Sequence, residues 1–227
     1  LDSGVVFTPN VDHLVKLQKD FEFYQCYQKA NWVICDSNIV NLSAKFLNKK
    51  IVEVIPGSSL LPAFYNYHKH NTDIKIFLLG AKEGVAALAK QNINTKVGWD
   101  IVVNTLSPSF GFENNKSECD EIIEYINKSG ANVLVVGVGA PKQEKWIIEH
   151  KRRLTNIKIF MALGATIDFE AGNVKRAPRF FQKFAIEWFY RLIKEPKRLW
   201  KRYLVDDLPF FYYVLKQKFG FYKNPFN

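Results

Sequence analysis

Three short stretches of this chain hold residues able to act on a phosphorylated ligand. The first is Gly137-Val-Gly139-Ala-Pro141-Lys-Gln143-Glu144, which follows the most apolar run of the sequence and opens a helical pattern. Its glycines let backbone approach a ligand closely, and the N–H groups of a helix start favour an anion such as diphosphate. Lys142 and Gln143 add a charge and an orienting amide. The glycine spacing matches neither the dinucleotide fingerprint nor a P-loop, so a turn built for tight packing is an equal reading. The second stretch is Thr8-Pro9-Asn10, where either polar side chain could cap the following helix or line a ligand's polar rim. The third is Asp36, which ends an apolar run. There a carboxylate could be a general base, its pKa set by partial burial, or an N-cap.

Other candidates are weaker. Residues 164–172 form a glycine-bounded loop carrying Asp168 and Glu170, a pair that suits metal or acid–base work and equally suits turn chemistry. Arg176 lies just before Pro178, which would start a helix. The cysteines (Cys26, Cys35, Cys119) and histidines (His13, His68, His70, His150) fall in no metal-ligand spacing. The odd cysteine count suggests a reducing compartment. Ser107 has no nucleophile-elbow setting.

These residues need a scaffold, and the pattern around them supplies one. Strands are expected at 5–8, 32–35, 74–79, 97–103, 132–138 and 157–163. Helices are expected from about 10 to 30, to about 48, after Pro56-Gly57-Ser58, and at 82–91, 114–128 and 141–150. Such alternation predicts an α/β fold, a mostly parallel sheet flanked by helices. Ligands of such sheets sit outside the carboxyl ends of the strands, where Thr8, Asp36 and Gly137 fall. The 227 residues suit one domain, or one with an appendage, and can bury a core without staples. No apolar run reaches the roughly 18 residues of a membrane span, and no signal peptide is evident. The first residue is Leu1, so a native start upstream is expected.

The net charge of +10 is uneven. Residues 1–175 carry 20 basic and 18 acidic side chains; residues 176–227 carry 12 and 4, with 16 of the 34 aromatics. A segment both greasy and cationic suits an anionic lipid surface. A packed helix with a solvated basic face, or a nucleic-acid surface, is the competing reading. The chain therefore reads as a core over 1–175 and a helical, basic, aromatic appendage over 176–227.

Taken together, TPN at 8–10, GVGAPKQEKW at 137–146, GATIDFEAG at 164–172, RAP at 176–178 and EWFYRLIKEPKRLWKRY at 187–203 resemble the WecG/TagA/CpsF family of bacterial glycosyltransferases. The resemblance implies a Rossmann-like core that holds a nucleotide sugar, usually UDP-linked. It also implies inverting transfer to a polyprenyl-diphosphate-linked sugar without metal or other cofactor. The reaction would run at the cytoplasmic membrane face, in assembly of teichoic acid, capsule or exopolysaccharide. The appendage would close over the site and meet the membrane. Nucleic acid is not expected as a partner, and self-association is an open alternative for covering the aromatics. Family resemblance assigns the base to Asp36 and the sugar-nucleotide pocket to Thr8, Asn10 and Gln143. It assigns contact with the diphosphate to Arg191, Arg198 and Arg202, with Lys201 a rival for the last. Gly137, Gly139, Pro141 and Arg176 complete the expected substrate-binding set.

The chain departs from the family where Asp-Gly-x-Gly is replaced by Asp36-Ser37-Asn38-Ile39. It departs again at Val54, where many members carry Arg, and at Ser59, where they carry Asp. An impaired member that binds nucleotide sugar without transfer is therefore the alternative reading, and a nucleic-acid-binding protein a more distant one.

Overall fold

In the computed structural model, the structure describes residues 3–174, 177, 178, 181 and 187–226; the side chains of Glu187 and Arg198 are outside the description. The described residues divide into two compact units, one comprising 3–8, 25–33 and 57–174, the other 9–24, 34–56 and those described beyond 174.

The first unit is built on six strands: β1 (Gly4–Phe7), β2 (Trp32–Val33), β3 (Ile76–Gly80), β4 (Val102–Leu106), β5 (Val133–Gly137) and β6 (Ile159–Ala162). They hydrogen-bond in the order β2-β1-β6-β5-β3-β4, every pair parallel. The α/β reading therefore holds, with a Rossmann-like parallel sheet flanked by helices. The apolar runs explain why. Ile76–Leu79 and Val133–Val136 are fully buried, as the central strands of a sheet covered on both faces must be. Each such side chain withdrawn from water contributes about 1.5–3 kcal/mol. Trp146 and Phe112 join the cluster on one face with Leu134, Val136 and Ile147.

Helices α4 (Gly57–Tyr67), α5 (Val85–Val97), α6 (Lys116–Lys128), α7 (Lys142–His150) and α8 (Thr166–Ala171) belong to this unit. Three boundaries differ from expectation. The second strand shrinks to Trp32–Val33, an exposed edge that pairs with β1 alone. Helix α5 runs on to Val97 and stops at Gly98, which adopts a left-handed C-cap (φ 89°), so the next strand starts at Val102. Residues 164–172, read as a loop, contain α8. Its glycines stand outside the helix, with Gly172 as a left-handed C-cap (φ 82°).

The second unit contains α1 (Val11–Lys16), α3 (Asn38–Phe46), α9 (Glu187–Lys194), α10 (Pro196–Lys201), a π-turn over Arg202–Asp206, and α11 (Pro209–Lys218). α2 (Phe21–Gln28) begins here, its Phe23 N–H capped by Asp20 Oδ1, so the long helix expected after Asn10 is two short ones. Val11 and Val15 of α1 pack on Phe210 of α11, with Ile39, Val40 and Val214 around them. Tyr222 bonds Gln18, and Asn224 bonds Tyr24. No described helix is long and apolar enough to cross a membrane.

Candidate active site

Because all strands are parallel, their carboxyl ends share one edge. The chain leaves β3 toward β4 and β5 toward β6, in opposite directions, which opens a crevice between β3 and β5 at that edge. The residues there are small for a steric reason. A Cβ on Gly80 (φ 130°) would lie 2.6 Å from the Gly137 backbone, and one on Gly137 would lie 2.7 Å from Gly164 O. Ala81 follows with φ 61°, rare for a residue with a side chain, and donates its N–H to Gly137 O at 3.3 Å. Gly139 needs its glycine for conformation (φ 88°), and a Cβ there would meet open space. Pro141 follows a cis peptide and immediately precedes α7.

Gln143 is 2 % exposed. Its Oε1 accepts from Gly139 N and Gly164 N, each at 3.1 Å, and its Nε2 donates to Glu144 Oε1 at 2.8 Å. It thereby clips the loop after β5 to the loop after β6. Lys142 is committed as well: it pairs with Glu113 and lies 4.6 Å from the Phe110 ring centroid. Thr8 is buried, and its hydroxyl donates to Ala162 O at 3.2 Å, tying the end of β1 to that of β6. Of the carboxylates at 164–172, Glu170 is buried and receives Tyr65 Oη (3.2 Å) and Lys96 Nζ (2.8 Å), a packing role that neither the turn nor the metal reading anticipated. Among the described residues no three His, Cys, Asp or Glu side chains converge as a metal site. A shallow hollow of about 540 Å³ beside Lys90, Asn94 and Trp99 opens at the opposite edge, the amino end of β4, and contains none of the candidate residues.

The second unit holds the other candidates. Asn10 is the N-cap of α1: its Oδ1 accepts from His13 N at 3.4 Å, and His13 completes a capping box. Asp36 is half-buried, and its N–H donates to Pro9 O at 3.0 Å, which places it beside Asn10. It does not cap the next helix. Ser37 does, accepting from Val40 N, so capping does not account for the carboxylate. Ile55 N donates to Cys35 O at 2.9 Å, so Val54 lies along the same segment. Burial pushes the Cys35 thiol up, and the Asp36 charge adds to this; the thiol stays protonated near neutral pH and offers no nucleophile.

Arg202 comes to the same place. Its Nη2 lies 3.3 Å from Asn10 Oδ1 and 3.5 Å from Asp12 Oδ2, whereas Lys201 beside it is exposed. Arg191 sits in the last turn of α9, half-buried. Arg198 lies on α10 without a described side chain, and Arg176 lies outside the described residues. Asp207, buried, was not singled out from the sequence. Burial pushes its carboxyl up to about 6, against the pull of the Arg202 guanidinium. Asp12 was also missed, though its spacing to Lys16, four residues on, is a readable helical ion pair (2.8 Å).

The structure thus brings Asn10, Asp12, Asp36 and Arg202 together in one unit, and Thr8, Gly137, Gly139, Pro141 and Gln143 onto the strand ends of the other. The chain is similar to the N-acetylglucosaminyldiphosphoundecaprenol N-acetyl-beta-D-mannosaminyltransferase of Staphylococcus aureus strain MRSA252, at 27 % identity over 197 residues, 85 % of this chain and 72 % of the relative. The protein of the same name from strain MW2 is 26 % identical over the same shares. The model of the glycosyl transferase WecG/TagA/CpsF family matches residues 2–224, and the chain belongs to that family of glycosyltransferases.

Proposed function

We propose that the protein moves a sugar from a UDP-sugar to a polyprenyl-diphosphate-linked sugar, with inversion and without a metal, in assembly of a bacterial surface polysaccharide. The observation that carries this reading is Asp36, half-buried beside Asn10, with the helix-capping task taken by Ser37. In a single displacement the acceptor hydroxyl attacks the anomeric carbon and the bond to the diphosphate breaks. Asp36 takes the hydroxyl proton. The charge left on the diphosphate is met by guanidinium groups, Arg202 foremost. The names of the relatives make N-acetylmannosamine the first donor sugar to test and N-acetylglucosaminyl-diphosphoundecaprenol the first acceptor.

The test is transfer from UDP-N-acetylmannosamine to that acceptor, followed by chromatography of the lipid product. Asp36→Ala is expected to lower kcat by about 10²–10⁴-fold while UDP affinity, measured by calorimetry, changes little. Unchanged turnover in the variant would remove Asp36 from the base role. A second reading is supported by Val54 and Ser59, the first of which lies on the segment paired with Cys35: a member that binds UDP-sugar without transferring it. UDP binding without product across several lipid-linked acceptors would favour that reading. The working location would be the cytoplasmic face of the membrane, with the basic aromatic segment as the lipid contact.

A further inference from the structure

Arg202 stands among charges that decide where its guanidinium can sit. Lys16, on the same helix as Asp12, places its ammonium 2.8 Å from Asp12 Oδ2, and the same oxygen lies 3.5 Å from Arg202 Nη2. One carboxylate oxygen therefore serves two cations. Without it, Arg202 would keep the neutral amide oxygen of Asn10 at 3.3 Å and the buried Asp207 carboxyl near it, with no carboxylate oxygen shared with Lys16. Asp12 is itself 8 % exposed, and its place in the first turn of α1 is set by the Asn10 cap and by Val11 and Val15 packing on Phe210. Its carboxylate is thus held rigidly, while Arg202 is the partner that must be drawn in. The guanidinium meets Asn10 and Asp12 with one nitrogen, and its Nε is buried without a hydrogen-bond partner. A buried guanidinium N–H without an acceptor calls for one, and a phosphate oxygen is a strong candidate by charge and shape.

We propose that Asp12 is a positioning residue for the transfer reaction: by neutralising Lys16 and facing Arg202, it holds the guanidinium on Asn10 with its remaining N–H groups available to the departing diphosphate. This rests on the function proposed above. Asp12 touches no substrate; it acts through Arg202.

A double-mutant cycle tests this. Asp12→Asn is expected to lower kcat about 10–100-fold, the scale of a misplaced charge group, with less than about a threefold change in KM for the UDP-sugar. Asp12→Glu should recover most of the loss. In an Arg202→Ala background, Asp12→Asn should cost nothing further, since its target is gone. An equal loss in both backgrounds would overturn the proposal, because a merely structural carboxylate would act with or without Arg202. The same four proteins, unfolded in urea, give a readout independent of turnover. Coupling of at least about threefold in the unfolding equilibrium constant is expected between the two positions, and strictly additive effects would sink the Asp12–Arg202 contact itself. Should the native protein transfer no sugar, the proposed function falls, and the urea cycle alone decides whether Asp12 places Arg202.

Discussion

Asp207 shows how much one side chain's surroundings decide. It is an ordinary acidic residue in a basic segment, yet it lies buried near Arg202 with Oδ1 unbonded, and burial raises its pKa from 3.8 to about 6. The folded state therefore holds a proton there that the unfolded chain has released. The stability this brings is full below about pH 3.8, and is lost as pH rises through about 6. Asp207→Asn should remove that dependence. Urea titrations at pH 5 and 7.5 are expected to show the native protein losing roughly 1–2 kcal/mol more than the variant between the two, with the variant the more stable at pH 7.5. Parallel losses in both proteins would show that Asp207 titrates normally. Asp36 makes the converse point. Sequence left it between base and cap, and only the neighbouring hydroxyl of Ser37, accepting from Val40 N, settles who caps α3.

Among elements, the clip between the loops after β5 and β6 is the most consequential contact. Two strands adjacent in the sheet end in glycine-containing loops, and one buried amide oxygen satisfies an N–H from each. Gln143→Ala would leave both donors unpaired and the Glu144 carboxylate without the Nε2 donor. The cost expected in urea unfolding is about 2–4 kcal/mol, and UDP affinity should fall with it as the loops separate. A variant of native stability would mean the loops hold each other without Gln143. The PKQE block was read as pocket-facing from resemblance; the hydrogen bonds add that its glutamine ties the loop after β5 to the loop after β6. Helix α8 is a similar lesson. Glycines at 164 and 172 suggest a loop, but Thr166–Ala171 forms a short helix between them because Glu170 is drawn inward by Tyr65 and Lys96.

At the scale of the whole chain, charge and packing draw different lines. The basic excess begins at Arg176, while residues 9–24 and 34–56 pack in one compact unit with the C-terminal segment, through Val11, Val15 and Phe210 and through Lys218 on Phe46 O. Trp200, Leu204, Phe211, Leu215 and Phe219 remain exposed there, beside the lysines and arginines that would meet lipid phosphate. Vesicles containing anionic lipid are expected to co-sediment the full chain, with binding that weakens as salt rises. A chain ending before Arg176 should lose that binding and all transfer, and its residues 9–24 and 34–56 should become protease-sensitive. Continued sedimentation of the shortened chain would exclude the segment as the lipid contact.

Periodicity and punctuation were enough to read the parallel α/β class and the strand order along the chain. Those features rest on local signals: apolar runs long enough for buried strands, and glycine or proline at their ends. The residues that finish the site were not legible in the same way. Nothing near Asp12 in sequence announces Arg202, 190 positions on, nor does anything near Gln143 announce Gly164. A hydrogen bond or ion pair between distant segments depends on where the fold carries both, and side-chain type and spacing encode only the half that belongs to each.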